Sequence, residues 1–438
     1  MNRLSAAVLA LALALPAAAQ EPSAEEFLAG TQSSGPSLRM YGFADVSYSK
    51  WLVDDKNSWW PLVQHNGAFA VGNMNVYLDG TLSKNARALV EFRLTYLPNG
   101  AGESFDPSTG RLVRNGGTYT TDYNYGTFGR TTVGGVVVER AWAEWRFNEY
   151  LTLRAGQFLT PVGIWIVDHG SPAIIAVQRP YVIASQLFPE HQVGIEAYGS
   201  KYLGSVRLGW HLTASNGRYE DAIGTDFLAP QIHATAQYTD ADTNVAFGGR
   251  LFAESSALLG ELKLGASYYQ GRFTTRTQGI DFGPVLAGTG YPGTIDEINV
   301  QYDEKDFGAD LRWDVGPVVL QGEWLNHATE TTRNSPSYNP GGDNSGGRSG
   351  YYVLLGVKLP YNVMPFAIYQ GYRPDLNDHH TDIVAYSVGA RWSVLPNLAL
   401  KAEYDHYRMP DAEKAGGTTA FFFKDALPQM SFQLAWAF

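Results

Sequence analysis

From residue 38 onward, apolar side chains recur at every second position, with polar ones between them. This is the period of a β-strand whose two faces meet different surroundings. In Gly67–Ser83, Ala68, Ala70, Gly72, Met74, Val76, Leu78 and Leu82 fall on one face. Asn73, Asn75, Asp79, Thr81 and Ser83 fall on the other, with Phe69, Val71 and Tyr77 as exceptions. After only Lys84-Asn85 the pattern returns in Ala86–Leu97. The same alternation predicts strands over Leu38–Trp51, Gly135–Phe147, Leu151–Phe158, Gln192–Ser200, Gly204–Ser215, Asn244–Ala253 and Gly260–Phe273. It continues over Tyr302–Val315, Pro317–His327, Gly350–Leu359, Val363–Arg373, Thr381–Ser393, Leu398–Tyr407 and Gln429–Phe438.

The connections alternate in length. Asn148–Tyr150, Lys201–Leu203, Gly316, Pro360–Asn362 and Val394–Asn397 are tight. Leu52–Asn66, Pro98–Gly134, Leu159–His191, Asn216–Thr243, Thr274–Gln301, Ala328–Ser349 and Arg408–Pro428 are long. One short-turn end and one long-loop end is the signature of an outer-membrane barrel. The expectation is an all-β chain forming a single transmembrane antiparallel β-barrel, with short periplasmic turns and long extracellular loops. Both termini of such a barrel face the periplasm, so the strand number is even. About sixteen strands fit. Gln231–Thr239 also alternates and is assigned to a loop. Eighteen strands stay open if Pro98–Gly134 hides one more.

Residues 1–19 have a charged start, an apolar centre from Leu4 to Leu15 and a small-residue exit at Ala17–Ala19. These are the parts of a secretory signal peptide. Residues 20–37 are then a short periplasmic tail, and 38–438 the barrel. Removing Arg3 with the leader takes the net charge from −11 to −12. Composition agrees: 17% charged residues, 47 Gly, 26 Tyr and no Cys. The absence of Cys excludes a disulfide scaffold, and the acidic balance argues against a nucleic-acid partner.

A soluble sandwich also alternates, so the two faces decide. On the apolar face, Trp145, Trp210, Trp313, Trp392 and Trp436 stand near strand ends, where interface aromatics sit in barrels. The chain closes on Phe438, which resembles the signal read by the barrel-assembly machinery of Gram-negative bacteria. Lipid and lipopolysaccharide of the outer membrane would cover this face. The opposite face carries Arg87, Arg93, Arg140, Arg146, Arg154, Arg207, Arg250, Arg312 and Arg391 against acids such as Glu91, Glu144, Glu196 and Asp310. A water-filled lumen accepts such charges; an apolar core does not. Neighbours two apart (Glu91/Arg93, Glu144/Arg146, Asp310/Arg312, Lys401/Glu403) could brace the wall or meet passing solute, and both readings stand.

Leu159–His191 is apolar for an outer loop, with Val162, Ile164, Trp165, Ile166, Ile174, Ile175 and Val177. Folded inward it would narrow the lumen and bring Asp168, His169, Gln178 and Arg179 to the constriction, Arg179 as a lone cation. Packing on the surface or on another subunit is the alternative.

Other motifs carry little. Gly288-x-Gly290-x-x-Gly293 lacks a βαβ setting and contains Pro292. His379-His380 among Asp375, Asp378 and Asp382 reads as a solvated loop, and Asp168-His169 has no serine partner. No catalytic residue, metal site or cofactor is expected. The run Glu139–Trp145, then Leu153–Phe158, Arg179-Pro180-Tyr181 and Gln192–Ile195 resembles the phosphate-selective porin O/P type family. The resemblance implies a sixteen-stranded, usually trimeric outer-membrane barrel with an inward-folded loop. Members selective for phosphate carry a lysine cluster and arginine ladder at the constriction; Leu159–His191 has one Arg and no Lys. The functional expectation is a porin for passive diffusion of small hydrophilic solutes or ions, leaning toward anions. The alternatives are a barrel hydrolase and a non-conducting adhesin or structural barrel.

Overall fold

The computed structural model describes residues 36–59, 63, 66–94, 103–106, 111–114, 119–120, 136–222, 244–257, 260–277, 298–415 and 423–438. The leader, Gln231–Thr239 and Gly288–Gly293 lie outside the described residues.

Sixteen strands follow the alternation. They are β1 (Ser37–Trp51), β2 (Ala68–Thr81), β3 (Ala86–Leu94), β4 (Val136–Asn148), β5 (Leu151–Leu159), β6 (His191–Leu203), β7 (Val206–Ser215) and β8 (Ala246–Ser255). The second half comprises β9 (Glu261–Thr277), β10 (Ile298–Val315), β11 (Val318–Thr331), β12 (Ser345–Val357), β13 (Val363–Arg373), β14 (Ile383–Leu395), β15 (Leu398–Arg408) and β16 (Leu427–Ala437). Each pairs antiparallel with the next, and β16 returns to β1 from Phe43↔Ala437 to Trp51↔Gln429, which closes the barrel. Closure leaves no unpaired sheet edge, as a strand structure crossing lipid requires. Among the described residues no helix is long and apolar enough to cross a membrane.

The eighteen-strand option falls away. The short strands at 103–106, 111–114 and 119–120 pair with one another in a separate sheet, outside the barrel. Arg218–Ala222 joins the barrel sheet only by a short parallel pairing with Phe273–Thr277 of β9. The hairpin after Gln192 also runs longer than the sequence suggested. β6 continues through Leu203, and the turn falls at Gly204-Ser205.

The parity exceptions in β2 have a local cause. Ala44 faces Met74 and Val46 faces Val71, so Gly72 and Asn73 together oppose Asp45. Such a β-bulge shifts the alternation by one residue. Beyond it Phe69 stands 80% exposed on the outer face, whereas Tyr77 stays buried in the interior. Asp45 accepts from the Asn73 backbone and side-chain N–H groups at 3.2 and 3.3 Å, fixing the bulge.

Candidate functional site

The segment between β5 and β6 lies against the inward faces of distant strands. Val162, Trp165, Ile166, Ile175, Val182, Ile183, Leu187 and Phe188 are buried in one cluster with Val319, Leu325, Tyr352, Leu354, Phe366, Ile368 and Tyr372 of β11–β13. Burying each such side chain is worth roughly 1.5–3 kcal/mol. Polar ties hold the same segment at several walls. The Trp165 N–H donates to Glu323 Oε1 at 3.1 Å. Lys401 Nζ donates to the carbonyls of Ser171 and Ala176 at 2.7 and 3.0 Å. An Arg391 guanidinium N–H reaches the Pro172 carbonyl at 2.7 Å. Glu403 accepts from the N–H groups of Val177 and Gln178, and the Gln178 side chain donates to Ser431 Oγ at 3.0 Å. On the facing wall His169 meets Glu91 of β3 at 3.2 Å and stands edge-on to Phe43 of β1. The segment therefore spans the interior from β1–β3 to β11–β16.

These contacts engage several of the side chains expected at the constriction. His169 and Gln178 are engaged with the wall rather than free. Arg179 is not alone: it pairs with Glu190 at 3.0 Å. Glu190 lies outside the strands. Burial pushes its carboxyl up, but the Arg179 guanidinium, with His191 beside it, outweighs burial and holds it below the usual carboxylate range.

Beneath the segment, toward the short-turn end, lies a cavity of about 750 Å³. Its lining includes Arg87, Arg140, Arg146, Arg154, Arg207, Arg250, Lys263 and Arg312, and the carboxylates Glu144, Glu149, Asp168, Glu196, Glu254 and Asp310, eight cations to six acids. Arg93, His169, Arg179 and Arg391 are not part of that lining. Arg93 pairs with Glu139 at 3.2 Å.

Most lining charges are paired across neighbouring strands rather than along one strand. Arg154 bridges Glu144 and Glu196, each at 2.9 Å, and Arg207 meets Glu254 at 3.0 Å, whereas Arg250 of β8 reaches past Gly265 of β9 to bind Asp310 of β10 at 2.6 Å. The supposed i, i+2 partners separate: Glu91 binds Arg140 at 2.5 Å, and Arg312 leans on Asp314 at 3.4 Å. Directly opposed residues on adjacent strands have Cβ atoms about 5 Å apart, nearer than i, i+2 neighbours, which favours a cross-strand partner for Glu91; Arg312 keeps an i, i+2 partner, but Asp314 instead of Asp310. Arg146 is exposed and has no ion-pair partner among the described residues. Of the outer aromatics, Trp145, Trp392 and Phe438 are exposed, while Trp210, Trp313 and Trp436 are half-buried.

Two groups escaped the sequence. Glu139 is drawn inward by a bulge between β3 and β4, where Glu91 faces Arg140 but Phe92 faces Val138; it meets Arg93 and His191. Glu304, Asp306 and His327 place ligand atoms within 4.8 Å of one another. Arg218 lies 3.4 Å from Glu304 and 3.2 Å from Asp306, and so already supplies their counter-charge. The register Asp306↔His327 was readable only once β10 and β11 were aligned. The His379-His380 loop forms a tight turn in which Asp378 accepts from the His380 N–H at 2.8 Å, and Arg373 takes up Asp382 at 3.0 Å.

A closed sixteen-stranded barrel with an apolar outer face, a charged inner face and a cavity at its short-turn end is the architecture of an outer-membrane channel of a Gram-negative bacterium. The comparisons with known proteins agree. The chain belongs to the phosphate-selective porin O and P family, whose model matches residues 114–436. No curated protein sequence matches it. Among solved structures it resembles a loop L8 deletion mutant of OmpT, an outer membrane protein of Vibrio cholerae. There the TM-score is 0.53 and the identity 10%, over 92% of this chain and all (100%) of that one. It also resembles an anion-selective porin from Comamonas acidovorans (TM-score 0.50, 12% identity, covering 92% and 100%). A trimer form of Vibrio cholerae OmpT aligns with TM-score 0.51 and 10% identity, covering 92% and 100%. At these identities the likeness is one of fold.

Proposed function

We propose that the protein is a non-enzymatic, homotrimeric porin for passive diffusion of small hydrophilic solutes, weakly selective for anions, with Leu159–His191 as its constriction. The observation that carries this reading is the cavity under that segment, where cations outnumber carboxylates although the whole chain is at −11. In the confined, low-dielectric surroundings of a pore a small excess of fixed cations favours anions. The trimer form of one solved relative and the anion selectivity of another support the assembly and the sign. Phosphate preference is not part of the proposal: Leu159–His191 contains no Lys, and its single Arg179 is taken up by Glu190.

The test is single-channel recording of the purified protein in a planar bilayer, with reversal potential measured across a KCl gradient. Chloride should carry more current than potassium, and Arg146→Glu should move the reversal potential toward cations. Deleting residues 171–178 should raise conductance. A correctly folded protein that passes no current would sink the channel reading in favour of an adhesin or structural barrel.

A further inference from the structure

The cavity has two unlike walls. In the segment above it, Val162 and Ile166 are sealed, whereas Ile164, Val167 and Ile174 are half-buried and line the cavity beside the more deeply buried Ile175 and the carboxylate of Asp168. Trp165 joins them; it is 3% exposed, and its indole N–H has no acceptor among the described residues. Aliphatic surface facing a polar, water-filled space is unfavourable unless something apolar covers it at least part of the time. Among the cations Arg146 is exposed and unpaired among the described residues, while Lys263 and Arg312, at 3.5 Å from Glu254 and 3.4 Å from Asp314, keep side chains 36% and 33% exposed.

A small inorganic anion would use the cations and gain nothing from a hydrocarbon roof. A neutral apolar solute would cover the roof but strip water from guanidinium and ammonium groups without replacing their partners. A solute that is anionic at one end and apolar at the other satisfies both walls. We propose that this cavity is a transit site for organic carboxylates whose apolar body is about the size of an aromatic ring. The carboxylate sits toward an exposed cation of the lining, Arg146 on β4 or the directly opposed Lys263 and Arg312 on β9 and β10, and the body lies under Ile164, Val167 and Ile174. The volume of about 750 Å³ lies within the usual range of small-molecule sites and leaves room for such a solute with some of its water. This assignment rests on the channel reading above.

The test uses full-length protein in planar bilayers carrying a chloride current, with benzoate, acetate and phosphate as probes. Benzoate should reduce the current saturably, at concentrations at least tenfold below those needed for acetate or phosphate. Ile174→Asn should raise the half-blocking concentration of benzoate several-fold more than that of acetate, whereas Arg146→Ser should raise both. Val167→Ser repeats the roof test should Ile174→Asn not assemble, which heat-modifiable migration reports. Equal action of benzoate and acetate, or equal loss of both in the roof variants, overturns the site while the channel stands. Absence of chloride current from folded protein overturns the channel reading, and this inference with it.

Discussion

Lys401 carries much of the grip on the inward segment, because one ammonium satisfies two backbone carbonyls, those of Ser171 and Ala176. A hydrogen bond to a charged group contributes roughly 1.5–3 kcal/mol. Lys401→Met should therefore loosen the segment by a few kcal/mol at most and speed protease cleavage between 171 and 178, with the barrel intact by heat-modifiable migration. Gly163 makes a steric version of the same point, since a Cβ there would collide with the Glu323 carboxylate that holds Trp165. The Arg179–Glu190 pair adds a pH dependence. Its carboxyl is lower in the folded protein, so its contribution is complete above the unfolded value of about 4 and fades as pH falls through the folded value. Pepsin cleavage near 179–190 should rise as the pH is lowered below about 4, and Glu190→Gln should abolish that part of the rise. At this scale the sequence was only partly legible. Charges on the inner face followed from parity, but Glu139 did not, because a bulge moves it off the alternation. The partners of Glu91, on the adjacent strand, and of Asp310, two strands away, depend on the order of strands round the barrel, and spacing along one strand does not record that.

Among the elements, the seam between β16 and β1 is the closure on which the others depend. Gly42 and Phe438 exchange backbone hydrogen bonds at 2.9 Å in both directions. A side chain at Gly42 would run into the Asn75 carbonyl and the Phe438 ring. Gly42→Val should thus lower the yield of folded, heat-modifiable barrel, and deleting Phe438 should do the same. Normal assembly of both variants would show that the seam tolerates both a side chain at position 42 and the loss of the terminal pair of bonds. The strands themselves were legible because lipid on one side and charged interior on the other impose the same alternation on each of them. Their ends were less so: β9 and β10 run past the expected limits of Phe273 and Tyr302 to pair as far as Thr277↔Ile298. Thr274-Thr275-Arg276-Thr277 is polar throughout and shows no period, and its pairing with 298–301 keeps the backbone extended.

For the whole molecule, an acidic chain encloses a cavity in which basic groups predominate. The anion preference proposed above should therefore fade with salt: at 1 M the screening length is about 3 Å, against about 10 Å at 0.1 M. Reversal potentials taken at both concentrations should converge toward zero preference at the higher. That Leu159–His191 is too apolar for a surface loop was legible, whereas its attachments were not, since they come from residues as distant in sequence as Ser431. This separation has a consequence in time. The segment leaves the wall after β5, yet most of its contacts are with β11–β16, and β16 is the strand that seals the barrel. Contacts that close such long stretches of chain form late. During assembly the segment must wait, its apolar side chains uncovered, until the last strands arrive. The interior obstruction is then the final part to set, and a barrel halted before closure should present residues 159–191 to a protease or a chaperone that cannot reach them in the finished protein.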